Sequence, residues 1–178
     1  MVQTSCLNLI CASRAVFSTA SPPMARIQFE LPAQFLFSTE MQIYISHVNQ
    51  GGHLDNAQLL TLVSEARVRF FKHLGYRESD VQGHGVVVGD IVAQYKSEGF
   101  HGETMRVEMT PVDPNKYGFD LVFRMTETAS AREVARGKVG VVFCGPRRAQ
   151  GGGYSRGIAA GAVRRLVASG GPQTHGPG

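Results

Sequence analysis

Residues 52–75 read GHLDNAQLLTLVSEARVRFFKHLG, and the fold turns on how this stretch is read. From Asn56 to Leu74 the apolar residues Leu59, Leu60, Val63, Ala66, Phe70 and Leu74 recur at intervals of three and four. That spacing puts them on one side of an α-helix with ~3.6 residues per turn. Asp55 or Asn56 is placed to cap its start and Gly75 to stop it. The expected helix is about five turns long, enough to run through the middle of a domain.

Working outward, Asn49-Gln50-Gly51-Gly52 is a turn-forming run, and Ile43 to Val48 (IYISHV) before it is a strand candidate. Beyond the helix, strand signals cover Val86 to Tyr95, Thr104 to Asp113, Tyr117 to Glu127 and Glu133 to Phe143. In the second, Met105, Val107 and Met109 alternate with Arg106, Glu108 and Thr110. In the third, Phe119, Leu121, Phe123 and Met125 alternate with Asp120, Val122, Arg124 and Thr126. Period two gives each strand one apolar face. The links Pro114 to Lys116 and Thr128 to Arg132 are short, so the last three strands should form an antiparallel meander. One strand, one long helix and four strands is an α+β order, with a curved sheet wrapped around the helix.

At 178 residues the chain suits one core better than two. Its formal charge of +4 is unevenly placed. Residues 41–144 carry 11 Lys and Arg against 12 Asp and Glu, while Arg147, Arg148, Arg156, Arg164 and Arg165 stand in an acid-free, Gly-rich end. A nucleic-acid surface needs its basic residues clustered on the folded part, so no nucleic-acid partner is expected. No stretch approaches the ~20 apolar residues of a membrane helix, so no membrane span is expected either. Cys6, Cys11 and Cys144 are odd in number and form no CxxC pair, and the six histidines lack a ligand spacing. Neither a disulfide framework nor a metal site follows.

Residues 1–40 read as an N-terminal extension, 41–144 as the domain and 145–178 as a Gly/Arg-rich tail of low expected order, with one short helix candidate from Ile158 to Ala168. Residues 1–23 hold Arg14 as their only charge and many Ser and Thr. Two readings compete for them: an organellar transit peptide, or a start placed too early with Met24 as the true first residue. The expected location is the cytoplasm, or an organelle if the first reading holds.

The run Gly52-His53-Leu54-Asp55-Asn56-Ala57, followed by Leu59-Leu60, Glu65-Ala66-Arg67 and Leu74-Gly75, resembles the GHVNNA, EAR and LG signature of the hot-dog-fold thioesterases, the 4-hydroxybenzoyl-CoA and acyl-CoA thioesterase superfamily. Tyr95, Ser97-Glu98-Gly99-Phe100 and Gly102-Glu103-Thr104-Met105 resemble the family's strand end and GDTL-like turn. The separations match without gaps over about a hundred residues. The resemblance implies a hot-dog fold, thioester hydrolysis with acyl-CoA as substrate, no cofactor, and a homodimer or homotetramer. It also exposes a departure. Many relatives place an Asp four residues before the signature His as nucleophile or general base, and this chain has Asn49. An amide takes no proton near neutral pH, although it can orient a water.

Hydrolysis of a thioester needs a water at the carbonyl carbon and donors aimed at its oxygen. Gly52 and His53, beside a helix N-terminus with unpaired N–H groups, are the candidate donors. The bland alternative is that the glycines only make the turn and His53 only caps. Glu65 and Asp90 are the candidate bases. Glu65 lies opposite the apolar stripe, where a Glu is usually solvated. Arg67 falls within that stripe and must be paired, and Asp90, polar in an apolar strand, is its expected mate. Asn56, Tyr95, Lys96 and Phe100 are substrate-binding candidates: Lys96 for the phosphates of coenzyme A, the aromatic rings for the acyl or pantetheine channel. The rival readings are an acyl-carrier-protein thioesterase, a non-catalytic binder of acyl-CoA or another small apolar ligand, and a dehydratase, for which no motif is present.

Overall fold

Asp55, not Asn56, caps the helix. Its carboxylate accepts from the amides of Ala57 at 2.8 Å and Gln58 at 3.4 Å. Helix α1 then covers Asn56–His73. At the other end Gly75 takes φ +81°, and the amides of Gly75 and Tyr76 turn back onto the carbonyls of Lys72 and Phe71. A side chain rarely tolerates that backbone, which is why the stop is a glycine. The computed structural model describes residues 29–145. The expected extension up to residue 28, with Cys6 and Cys11, and the tail from residue 146, with its helix candidate, lie outside the described residues.

The strands are β1 (Phe37–Gln42), β2 (Gly85–Tyr95), β3 (Thr104–Val112), β4 (Gly118–Glu127) and β5 (Glu133–Cys144). They form one antiparallel sheet in the order β1-β3-β4-β5-β2. The curved sheet holds helix α1 against its inner face, and the fold is the hot-dog fold. Leu59, Leu62, Val63, Ala66, Phe70 and Phe71 of α1 are buried against Met105, Val107, Met109, Leu121, Phe123, Met125, Val139 and Val141. Each large side chain of this kind contributes roughly 1.5–3 kcal/mol when taken from water. Ring contacts run from Phe37 through Phe70, Phe71 and Phe119 to Phe143, with centroids 5.5–6.4 Å apart. Leu62 and Phe71 join the buried face, whereas Leu60 and Leu74 are only partly covered.

Two sequence expectations are corrected. The first strand is not Ile43–Val48 but the preceding segment, in which Phe37, Thr39 and Met41 face inward and Met41 pairs with Met105 of β3. Ile43 is buried, yet the chain then leaves the sheet through a 3-10 turn at Ile45–His47, with Tyr44 and Ile45 exposed. Arg67 does not pair with Asp90. It meets Glu78, Nε to Oε1 at 2.5 Å. A bulge at Gly89 shifts the β2 register between Val88 and Asp90, so Asp90 reverses side and joins Lys138 on the outer face, at 3.6 Å. Among the described residues no helix is long and apolar enough to cross a membrane, and no group of three His, Cys, Asp or Glu is placed to hold a metal ion.

Candidate active site

The loop ahead of α1 is folded on Asn49. Its amide N–H donates to the His53 carbonyl at 3.0 Å, its carbonyl accepts from Gly52 at 3.0 Å, and its side-chain Oδ1 accepts from the Gly51 amide at 2.8 Å. Gly52 has φ +82°, the one place in the turn where the backbone requires a glycine. With Oδ1 committed to Gly51, Nδ2 of Asn49 is the atom facing His53 Nδ1, at 3.3 Å. His53 Nδ1 therefore accepts, and the ring hydrogen sits on Nε2, a tautomer assigned from this network. Gly51 lies under the ring: a Cβ there would come within 2.9 Å of His53 Nε2 and 3.1 Å of Asn49 Oδ1.

The facing wall is the bend after β2. Leu54 donates to the Gly99 carbonyl at 2.7 Å, tying this bend to the loop. The Lys96 amide donates to Val134 at 2.8 Å and the Ser97 hydroxyl to the Glu133 carbonyl at 2.7 Å. Arg132 donates to the Ser97 hydroxyl at 3.1 Å, to the Glu98 carbonyl, and to the Glu103 carboxylate at 2.7 Å. Between loop and bend lies a cleft of about 410 Å³. Leu54, Leu59 and Val134 form its apolar floor, and Asn49, His53, Asn56, Tyr95, Lys96, Ser97, Glu98 and Gly99 complete it. The Tyr95 hydroxyl donates to the Asn56 carbonyl at 3.4 Å across the rim.

Five residues singled out from the sequence thus meet in one cleft: Asn49, His53, Asn56, Tyr95 and Lys96. Four do not line it. The Gly52 N–H is spent inside the turn, leaving His53 as the loop's other candidate donor. Glu65 is half-exposed on α1 and holds Arg69 at 2.8 Å. Asp90 stands on the outer face of the sheet. Phe100 bridges to His53 through its backbone, while its ring is exposed beside Arg132. Sequence reasoning missed Ser97 and Glu98 as wall residues; the signal was the polar run Lys96-Ser97-Glu98 directly after an apolar strand.

The carboxylates with resolved pKa shifts do not line the cleft. Glu127, at the β4–β5 hairpin, is held below the usual glutamate value by the Ser130 hydroxyl and by the amides of Ala129 and Ser130. Glu133 is lowered by its hydrogen bonds from Arg136.

Residues 44–150, more than half of the chain, match the family model described as the thioesterase-like superfamily. The chain belongs to this superfamily. No curated protein matches it in sequence. Solved structures of thioesterases share its fold. A mutant 4-hydroxybenzoyl-CoA thioesterase complexed with 4-hydroxybenzoyl-CoA superposes with a TM-score of 0.64 at 13% identity, over 74% of this chain and 97% of that one. A 1,4-dihydroxy-2-naphthoyl-CoA thioesterase from Synechocystis gives 0.63 at 15% identity, over 74% and 95%. The DHNA-CoA thioesterase from Staphylococcus aureus gives 0.58 at 16% identity, over 67% and 78%. Within this thioesterase-like chain the family match takes in both walls of the cleft.

Proposed function

We propose that this protein hydrolyses acyl-CoA thioesters to the free acid and coenzyme A in the cleft between the Asn49–His53 loop and the Tyr95–Gly99 bend. The observation that carries the reading is the convergence of Asn49 and His53 on a cleft with an apolar floor, at the start of the buried helix. The thioester carbonyl points at the His53 N–H groups, which take up the charge developing on its oxygen. Asn49 orients the ring and holds water. Lys96 meets a phosphate of the carrier at the rim, and Tyr95 and Asn56 flank the pantetheine or acyl chain.

The protein works as a homodimer or homotetramer in this reading. Among the described strands β2 is at the edge of the sheet, paired with β5 alone, and it leaves Val87, Val88 and Ile91 about 40% exposed. A second copy covering this edge would satisfy its unpaired backbone groups and cover those side chains.

The test is thiol release from a panel of acyl-CoA thioesters, run beside the same acyl groups on acyl carrier protein. Faster turnover of the carrier-protein forms would reassign the carrier. Asn49, standing where many relatives carry Asp, favours a second reading: a protein that binds acyl-CoA without cleaving it. Tight binding with no thiol released from any thioester would establish that reading over hydrolysis.

A further inference from the structure

We infer that Glu98 is the general base of the cleft, an assignment that rests on the thioesterase reading above. Asn49 has no basic atom at neutral pH, so the proton of the attacking water needs another acceptor. Among the described residues Glu98 is the only acidic residue lining the cleft. Nearly every other carboxylate of the folded domain already has work: Glu40, Glu65, Glu78, Glu103, Glu108, Glu133, Asp90 and Asp120 are in ion pairs, Asp55 caps α1, and Asp80 and Glu127 accept turn amides. Among the described residues the Glu98 carboxylate has no ion-pair or hydrogen-bond partner. Glu98 is exposed and lines the cleft together with Asn49 and His53.

Its backbone, in contrast, is fixed on both sides. Ser97 is bonded to Glu133 and Val134, the Glu98 carbonyl accepts from Arg132, and the Gly99 carbonyl accepts from Leu54. Gly99 is buried, and a Cβ on it would come within 3.0 Å of Ile43, so the bend sits close against the core. A side chain mounted on so anchored a bend has only its own rotamers to search for the water. The charged and titratable groups nearby are Lys96 on the same segment, His53 and Tyr95 in the cleft lining, Arg132 ahead of β5, and the Glu103 and Glu133 carboxylates, which are held by Arg132 and Arg136.

The step balances as follows. Glu98 takes a proton from water as the water oxygen bonds to the thioester carbon, and the carbonyl π pair moves onto the oxygen facing His53. The pair then returns, the carbon–sulfur bond breaks, and the proton passes from Glu98 to the departing thiolate. The products are a carboxylic acid and a thiol, with no other reactant consumed.

The experiment measures kcat and KM with 4-hydroxybenzoyl-CoA and octanoyl-CoA for the wild type, Glu98→Gln and Glu98→Asp, with thermal melts on the same samples. Because the carboxylate has no partner, both variants should melt with the wild type. Glu98→Gln should lower kcat by about 10²–10⁴-fold, the usual contribution of a positioned base, with KM within about twofold, and Glu98→Asp should recover part of the loss. Turnover of Glu98→Gln within about threefold of the wild type overturns the assignment and leaves the hydrolase reading standing. A wild type that releases thiol from neither probe, nor from any thioester of the panel, overturns both.

Discussion

Asn49 Nδ2 stands 3.3 Å from His53 Nδ1, and the Gly51 amide, 2.8 Å from Oδ1, fixes which way the Asn49 side chain faces. The substitution of an amide for the family's carboxylate therefore has a consequence beyond the loss of a base. An aspartate at 49 would accept a hydrogen from Nδ1, whereas the amide donates one to it, so the ring hydrogen is moved to Nε2. Nitrogen-15 NMR of the wild type should show His53 as the neutral Nε2–H tautomer. Asn49→Asp should transfer that hydrogen to Nδ1. An Nδ1–H ring in the wild type would remove the basis for orienting His53 through Asn49.

Gly51→Ala should separate stability from activity. The added methyl meets the His53 ring and Asn49 Oδ1 rather than backbone, and both side chains can swing aside. Melting should change little, within about 1 kcal/mol, because what moves is the partly buried tip of a loop. Turnover should fall by about 10-fold or more, since a small misplacement of positioned groups is enough to lose rate. Unchanged turnover would mean that the position of the His53 ring does not matter.

Gly137→Ala should do the opposite. A Cβ at Gly137 would lie 1.9 Å from the Val92 carbonyl oxygen and 2.9 Å from Phe123, so backbone on the neighbouring strand must shift. Overpacking of this kind costs about 1–3 kcal/mol. Urea denaturation should show a lower midpoint with the slope unchanged. A variant as stable as the wild type would show that β2 and β5 are less tightly apposed than this geometry requires.

Acid should weaken the protein through Glu127 and Glu133. Both carboxylates titrate below the ordinary glutamate value of 4.5 in the folded state, Glu127 because of the Ser130 hydroxyl and nearby amides, Glu133 because of Arg136. A carboxylate with a depressed folded pKa contributes its full stabilisation above its unfolded value. The contribution is lost as pH falls from about 4.5 through the folded values. Stability measured from pH 7 to 3 should drop over that interval, and Glu127→Gln should flatten the drop. An unaltered pH profile in Glu127→Gln would contradict the hairpin assignment.

Much of this was written in the local sequence, and what was not has physical causes. The helix and the four strands after it follow from periodicity, because burial on one face leaves its period in the chain. The first strand was displaced because IYISHV is rich in strand-forming residues, while the true period-two segment, Phe37 to Gln42, has polar Thr39 at one inward position and Ser38 and Glu40 between the inward ones. The partner of Arg67 escaped because one extra residue at Gly89 turns Asp90 to the other face, and a bulge leaves little trace in a run of valines. Asn49, His53 and Asn56 are close in sequence and could be read as one site. Glu98 joins them through contacts between segments far apart in the chain, among them the bonds from Leu54 to Gly99 and from Arg132 to Glu98.

Steady-state thiol release from acyl-CoA thioesters by the wild type and His53→Ala, with substrate binding followed on the same samples, tests the central claim most directly. The wild type should turn over at least one thioester. His53→Ala should bind it with similar affinity and hydrolyse it about 10²–10³-fold more slowly, the usual loss for an oxyanion donor. A wild type that binds without hydrolysing would contradict a hydrolytic site in this cleft, and a His53→Ala variant that keeps the full rate would contradict the His53 ring as an oxyanion donor.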